Sequence, residues 1–155
     1  MQGFTRQLYC NRLQNIIADK QINLIIGTSL GGFYASVLSA QHNLPVMLVN
    51  PCLTPFLLDL LSELEKNSLV QLFNELEKIE LSNVSCIVGD ADELLDNNAF
   101  TEKLLGNARF RRIKDGKHSG YTLPLKAFFS EMLQYYMAIL PLKEGAECIS
   151  SDLSD

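Results

Sequence analysis

The stretch that decides the fold occupies residues 27–32 and reads Gly27-Thr28-Ser29-Leu30-Gly31-Gly32. It follows a short apolar run at residues 24–26, which predicts a buried strand within residues 21–27. It also opens a segment, residues 30–42, that predicts a helix. A G-x-S-x-G pattern between a strand and a helix predicts a sharp turn with the serine at its tip, an arrangement called a nucleophile elbow.

The glycines of this turn have a predicted steric role. Side chains two residues before and two residues after Ser29 would collide across the turn, so Gly27 and Gly31 are expected to relieve that crowding. The N–H group of Leu30 would then face a substrate carbonyl as one oxyanion donor, aided by the positive end of the helix dipole.

Two other interpretations of the glycines stay open at this point. One is an ordinary turn between a strand and a helix, and the other is a dinucleotide-binding turn that holds a pyrophosphate at the helix N-terminus. The dinucleotide interpretation fits poorly, because the stretch lacks G-x-G-x-x-G and the next predicted strand ends in Asn50 and Pro51 instead of an acidic residue.

The rest of the chain alternates between short apolar runs and longer amphipathic segments. Further strands are predicted at residues 45–50, 84–88 and 109–114, and further helices at residues 5–20, 54–81 (one or two helices, broken near residues 66–68), 96–105 and 124–140. Such alternation requires crossover connections, which predicts the α/β class with a parallel sheet covered by helices on both faces. We expect one domain over residues 1–142 and a mobile acidic tail over residues 143–155.

Composition excludes several classes of protein. With 47% hydrophobic and 20% charged residues the chain can bury a core, so it is not a disordered tail. Its net charge of −5 offers no basic field for phosphate backbones, so nucleic acid is not a predicted partner. No apolar run approaches the roughly 20 residues that cross a bilayer, and the first residues do not resemble a signal peptide, so we expect a cytoplasmic protein without membrane insertion. The cysteines are expected to be buried free thiols: Cys10, Cys52, Cys86 and Cys148.

A serine hydroxyl becomes a good nucleophile only when a base removes its proton, and histidine, with a pKa of about 6.5, suits that task. His42 ends the helix that begins at the predicted elbow, more than two turns from Ser29, so we expect a solvated residue. His118 lies in the loop of residues 115–120, between the last strand and the last helix, where an α/β sheet presents its ligand-binding loops. His118 is therefore the predicted base.

The base needs a carboxylate that fixes its tautomer and stabilises the imidazolium. Three aspartates follow the strand that ends in Gly89, and Asp92 is the preferred acid among them. Asp90, next to Gly89, has an explanation as a turn residue, and Asp96 is predicted to cap a helix. The chain order of serine, aspartate and histidine is the order found in α/β-hydrolases.

Four motifs together resemble the YqiA-like branch of bacterial α/β-hydrolase esterases. They are G-x-S-L-G-G with two aromatics and an alanine at residues 27–35, V-N-P-x-x-x-P-F at residues 49–56, an acidic loop at residues 92–96, and G-x-H at residues 116–118. The resemblance covers most of residues 10–140. It implies hydrolysis of a small carboxylic ester or thioester by Ser29, His118 and Asp92, without a metal or an organic cofactor.

The resemblance fails before the elbow. Members of the family begin with a strand and an H-G-F-type turn that supplies a second oxyanion N–H, whereas only residues 1–26 precede Gly27 here. The expectation is a chain that is short at its N-terminus and lacks the first strands, with impaired turnover and self-association through an uncovered sheet edge. A noncatalytic remnant, a partner-binding module and an acyltransferase with the same triad stay open as alternatives. Phe56 and Phe73 either line an acyl pocket or belong to the core.

Overall fold

The structure of the protein is a computed structural model that describes residues 2–59 and 61–139. The predicted tail at residues 143–155, and Cys148 within it, lie outside the described residues. The described strands form one parallel sheet in the order β1-β2-β3-β4. The strands are β1 Ile25–Thr28, β2 Val46–Val49, β3 Val84–Gly89 and β4 Arg109–Ile113. The predicted parallel α/β sheet is confirmed.

Five α-helices and several short 3-10 turns connect and cover the described strands. The α-helices are α1 Gln2–Lys20, α2 Ser29–His42, α3 Glu63–Asn74, α4 Ala99–Leu105 and α5 Leu125–Ile139. The 3-10 turns are Pro55–Leu57, Glu75–Lys78, Leu81–Asn83, Asp96–Asn98 and Gly120–Thr122. None of the helices within the described residues is both long and apolar enough to cross a membrane.

The core has a layer on each face of the sheet, because successive side chains of a strand point to opposite faces. In β2, Val46 and Leu48 pack towards one face, in a cluster that includes residues of α2 and α4. Met47 and Val49 pack towards the other face, against α5. Helices therefore cover both faces, as the alternating pattern predicted.

The prediction that the first strand is buried is wrong for part of β1. Ile26 is 53% exposed. It pairs with Met47 and so points to the same face as that residue, but the core cluster under α5 contains no residue of β1. β1 is an edge of the described sheet, and the core cluster under α5 reaches only Leu24, the residue before β1.

The predicted break in the segment of residues 54–81 is also misplaced. The helix α3 runs without interruption through residues 66–68. Its start is fixed by a capping box in which Ser62 and Glu65 exchange hydrogen bonds, and the polar side chains of Lys66 and Ser68 are satisfied within the helix by Glu63 and the carbonyl of Leu64. The breaks fall before this cap and after residue 74, where the chain tightens into a 3-10 turn.

The cysteines within the described residues are Cys10, Cys52 and Cys86, and all three are buried free thiols, as predicted. Burial raises the pKa of each thiol, because a thiolate would lose its hydration in these apolar surroundings. They behave as small hydrophobic core residues.

Candidate active site

Ser29 stands at the junction of β1 and α2 in a strained backbone conformation. Its φ is 48°, in the left-handed region that a serine rarely adopts. A hydrogen bond of 2.8 Å from the N–H of Cys52 to the carbonyl of Ser29 ties the turn to the loop after β2. Backbone strain of this kind is concentrated at functional sites, where the surrounding structure holds the residue in place.

The glycines around Ser29 have different reasons to be glycine. A Cβ at Gly27 would lie 2.6 Å from the Cβ of Ala35 and 2.7 Å from the carbonyl oxygen of Gly31, and a Cβ at Gly32 would lie 2.6 Å from the Cβ of Pro51. A Cβ at Gly31 would meet nothing within 4 Å, so the predicted clash at that position is wrong. The backbone oxygen of Gly31 restricts the space at Gly27, but Gly31 itself has room for a side chain. Gly27 and Gly32 are the positions where a side chain does not fit.

The structure brings the three predicted site residues together. The Nε2 atom of His118 lies 3.0 Å from Oγ of Ser29, and its Nδ1 atom lies 3.0 Å from Oδ2 of Asp92. The Asp92 side chain is fully buried, while that of His118 keeps 17% of its surface exposed. With Nδ1–H donating to the carboxylate, Nε2 carries the lone pair that can accept the serine proton.

The backbone N–H groups of Leu94 and Leu95 donate to Oδ1 of Asp92, at 2.9 and 3.0 Å. One carboxylate oxygen is thus held by the acid loop itself, and the other faces the histidine. This division fixes the direction in which Asp92 presents Oδ2 to His118.

The loops after β3 and β4 are joined backbone to backbone. Ala91 N–H donates to the carbonyl of Gly116 at 2.9 Å. A Cβ at Gly89 would lie 2.0 Å from the same carbonyl oxygen, so only glycine permits this approach. Since Asp92 and His118 follow within three residues of these glycines, the contact keeps the two side chains close to each other.

The other sequence candidates occupy different positions. Asp90 accepts a hydrogen bond of 2.6 Å from the N–H of Asp115, a link between the same two loops. Asp96 is not a helix cap, contrary to the prediction: it is the first residue of a 3-10 turn capped by Leu95, and its φ is 46°. His42 is exposed at the end of α2, as predicted.

Glu93 borders the site from the solvent side. Its Oε2 accepts a hydrogen bond of 3.3 Å from the backbone N–H of His118. Hydrogen bonds from its own N–H and from that of His118 lower the pKa of Glu93. The ionised carboxylate is therefore a small additional tether on the loop of residues 115–120, called the histidine loop because it carries His118.

Leu30 is the second residue of α2, so its N–H belongs to the helix start, where the first N–H groups lack intrahelical partners. Phe56 and Phe73 meet edge to face with ring centroids 5.3 Å apart, and both pack against the core cluster that contains Phe33 and Leu69. This packing favours the core interpretation of the two phenylalanines. No group of three or more metal-ligating side chains exists within the part of the chain that the structure describes.

Sequence reasoning assigned no role to two buried asparagines at the site, Asn50 and Asn98, each 1% exposed. The Nδ2 of Asn50 donates to the carbonyls of Lys117 and His118, at 3.0 and 2.9 Å. The Nδ2 of Asn98 lies 3.0 Å from Oδ2 of Asp92. A polar residue directly after a fully apolar strand was the available signal for Asn50, whereas Asn98 lies in a polar stretch that gives none.

The parallel sheet with helices on both faces, and the position of Ser29 between a strand and a helix, define an α/β-hydrolase fold. A crystal structure of MGS-MChE2, an α/β hydrolase enzyme from the metagenome of lagoon sediments of Mar Chica, Morocco, is similar with a TM-score of 0.53 and 12% identity, over 85% of this chain and 69% of that one. A lipase candidate from Acinetobacter baumannii AYE is similar with a TM-score of 0.50 and 12% identity, over 83% of this chain and 66% of that one. The chain thus spans about two thirds of the length of each.

Within that fold, the chain belongs to the uncharacterised protein family UPF0227, whose model matches residues 2–119. This is the YqiA-like family, so the resemblance inferred from the four motifs is confirmed. A search of curated proteins found no significant sequence match.

Proposed function

We propose that this protein is a serine hydrolase that cleaves carboxylic esters or thioesters. The observation that carries the proposal is the hydrogen-bonded series from Ser29 Oγ through the His118 ring to the buried Asp92, with both distances 3.0 Å. The strained backbone at Ser29 and the similarity to an α/β hydrolase enzyme and a lipase candidate support it.

In the proposed reaction, Oγ of Ser29 attacks the carbonyl carbon of the substrate while Nε2 of His118 takes the hydroxyl proton. The electron pair of the carbonyl moves to its oxygen, and the N–H of Leu30 and the N-terminus of α2 stabilise the resulting oxyanion. Asp92 stabilises the imidazolium that has formed.

The imidazolium then returns its proton to the departing alcohol or thiol, which leaves an acyl group on Ser29. Water attacks this acyl-enzyme with His118 as the base, the bond from the acyl carbon to Oγ of Ser29 breaks, and His118 returns the proton to Oγ as the free acid departs. If an alcohol or amine replaced this water, the same residues would carry out acyl transfer, because only the acceptor differs.

A second candidate function, a partner-binding or noncatalytic member of the fold, rests on a different observation. Ile26 is 53% exposed on the edge strand β1. An exposed apolar edge can pair with another chain, so self-association through β1 belongs to this candidate. It does not require an activated serine.

Labelling by a fluorophosphonate probe separates the two candidates, because the probe reports an activated serine without a guessed substrate. We expect the wild-type chain to be labelled and Ser29→Ala and His118→Ala to be unlabelled. Ser36→Ala is the matched control, since Ser36 is a buried serine of the same helix whose hydroxyl bonds to the carbonyl of Gly32 at 2.7 Å. Labelling that persists in Ser29→Ala, or that is absent from folded wild-type protein, would refute the hydrolase.

A further inference from the structure

Two buried asparagines connect the loops that carry the acid and the base. Asn50 follows β2, and Asn98 ends the 3-10 turn before α4. Both have a positive φ, 41° for Asn50 and 59° for Asn98, which asparagine tolerates better than most residues. The backbone conformation and the burial together place both amide groups in the interior between the loops.

Asn50 holds the histidine loop by hydrogen bonds to its backbone. Its Nδ2 uses both protons on the carbonyls of Lys117 and His118, and its Oδ1 accepts from the N–H of Gly89 at 2.9 Å. One side chain from the loop after β2 therefore fixes the backbone on both sides of the acid–base contact. Without Asn50, the loop would keep the contact between Gly89 and Gly116 but lose the buried hydrogen bond to the carbonyl of His118.

Asn98 holds the carboxylate. Its Nδ2 lies 3.0 Å from Oδ2 of Asp92, 3.0 Å from the carbonyl of Gly89 and 3.2 Å from Oδ1 of Asn50. Oδ2 is the same oxygen that faces Nδ1 of His118. Among the described residues Oδ1 of Asn98 is buried without a hydrogen-bond partner, so the bonds that fix this side chain are those of its Nδ2.

We propose that Asn50 and Asn98 are positioning residues of the site, a pair of amides that sets the place of Oδ2 of Asp92 and of the His118 backbone relative to each other. The inference rests on the proposed hydrolase function for its consequence in turnover. A displacement of about 1 Å in a reacting group lowers the rate of catalysis about 100-fold, so two amides that fix both partners matter to turnover more than to substrate binding.

Isosteric and deletion variants distinguish positioning from packing. Asn98→Asp has the same shape, but it places an oxygen opposite three acceptors, whereas Asn98→Gly permits the positive φ and removes the side chain. We expect Asn98→Asp to lower kcat about 100-fold and Asn98→Gly about 10-fold, each with KM within about threefold of wild type. A packing role predicts the reverse order, because Asp fills the volume that Gly leaves empty.

A second measurement does not depend on activity. Asn50→Asp keeps an acceptor for Gly89 N–H and loses the donors to the carbonyls of Lys117 and His118. Hydrogen exchange of the peptide that contains residues 115–122 should become about tenfold faster, because the loop opens more often. Thr101→Val is the matched control: it removes a buried hydrogen bond of 3.3 Å from α4 to the carbonyl of Pro51, which is bonded to neither the acid nor the histidine loop.

The outcomes of these experiments separate the positioning inference from the proposed hydrolase function. If the wild type reacts with a fluorophosphonate and the kcat values of Asn98→Asp and Asn50→Asp stay within about threefold of wild type, the positioning inference is overturned and the hydrolase stands. If the wild type does not react, the hydrolase fails, and unchanged exchange in Asn50→Asp overturns this inference separately. If Asn98→Asp does not fold, the near-isosteric Asn50→Asp decides: an unchanged kcat overturns the inference, and a lowered kcat with an unchanged KM and faster exchange over residues 115–122 supports it.

Discussion

Ser29 and its proposed acid–base partners are held in place by different means. Ser29 is fixed mainly by backbone conformation: its φ is strained at 48°, and at the junction of β1 and α2 a side chain fits at neither Gly27 nor Gly32. Asp92 and His118 lie 26 residues apart in the chain and are fixed by bonds between separate loops. The serine side thus depends on backbone conformation, and the acid–base side depends on tertiary hydrogen bonds. The two sides should fail differently when they are mutated.

The largest expected effect lies on the acid–base side. Asp92→Asn keeps the shape of the side chain and leaves the His118 ring in the wrong tautomer, so we expect hydrolysis of an activated ester to fall about 10,000-fold in a folded protein. The rate of fluorophosphonate labelling at Ser29 should fall in parallel.

Asp90→Asn and Asp96→Asn are the controls for this loss. The side-chain oxygen of Asp90→Asn can still accept the hydrogen bond from Asp115 N–H, and the Nδ1 atom of His118 bonds to Asp92. Both variants should stay within about tenfold of wild type. A large loss in Asp96→Asn with none in Asp92→Asn would assign the acid to position 96.

The next effect tests the serine side through stability. Gly27→Ala would place a Cβ 2.6 Å from that of Ala35, and we expect the free energy of unfolding in urea to fall by about 3 kcal/mol. Gly31→Ala, two residues after the serine, meets nothing within 4 Å and should change it by less than about 1 kcal/mol. Equal losses would show that the pattern of glycines, and not the contact at Gly27, governs the turn.

The sequence predicted most where the cause of structure is local. Alternating apolar runs predicted the four strands, and contiguous motifs predicted the family. It failed where the cause lies elsewhere in the fold. The exposure of Ile26 depends on where α5 ends its coverage of the sheet, and the need for Gly32 depends on Pro51, which approaches it from the loop after β2.

The same reasoning applies to the site. The sequence indicates Ser29, Asp92 and His118, because a nucleophile, an acid and a base each follow a predicted strand, and parallel strands end at one edge of the sheet. The sequence does not indicate Asn50 and Asn98, because they bond to carbonyls and to a carboxylate that only the folded loops bring near. The predicted break at residues 66–68 is wrong because polar side chains do not by themselves end a helix. Lys66 and Ser68 find their partners within α3, and the pattern of residue types does not show this.

A smaller effect concerns the exposed edge beside the serine. The edge strand β4 carries three arginines, whereas the edge strand β1 exposes Ile26. Charged side chains on an edge discourage pairing with another chain, so we propose that any self-association uses β1. Ile26→Lys should raise the dissociation constant of the self-associated form, measured by sedimentation, about tenfold. Leu133→Lys, at a 42% exposed position on α5, should leave it unchanged, and the opposite result would move the contact to α5.

The smallest expected effect concerns Glu93, the tether that the acid loop extends to the His118 backbone. Hydrogen bonds lower the pKa of Glu93 in the folded protein, so its contribution to stability is present above the ordinary glutamate pKa and is lost as the pH falls through the lowered value. The midpoint of thermal unfolding should therefore be slightly lower in Glu93→Gln than in wild type at pH 7, and the two should converge in acid. Glu93→Gln keeps an acceptor but loses the charge that strengthens the hydrogen bond from His118, and Glu93→Asp keeps the charge with a shorter reach. Both variants should therefore lie below wild type if the charged bond to His118 is the cause. Recovery of the wild-type midpoint in Glu93→Asp would instead assign the effect to charge near Lys117, which also lowers the pKa of Glu93. In that case the acid–base side would be held by the buried amides and the backbone contact at Gly89, and Glu93 would have no part in it.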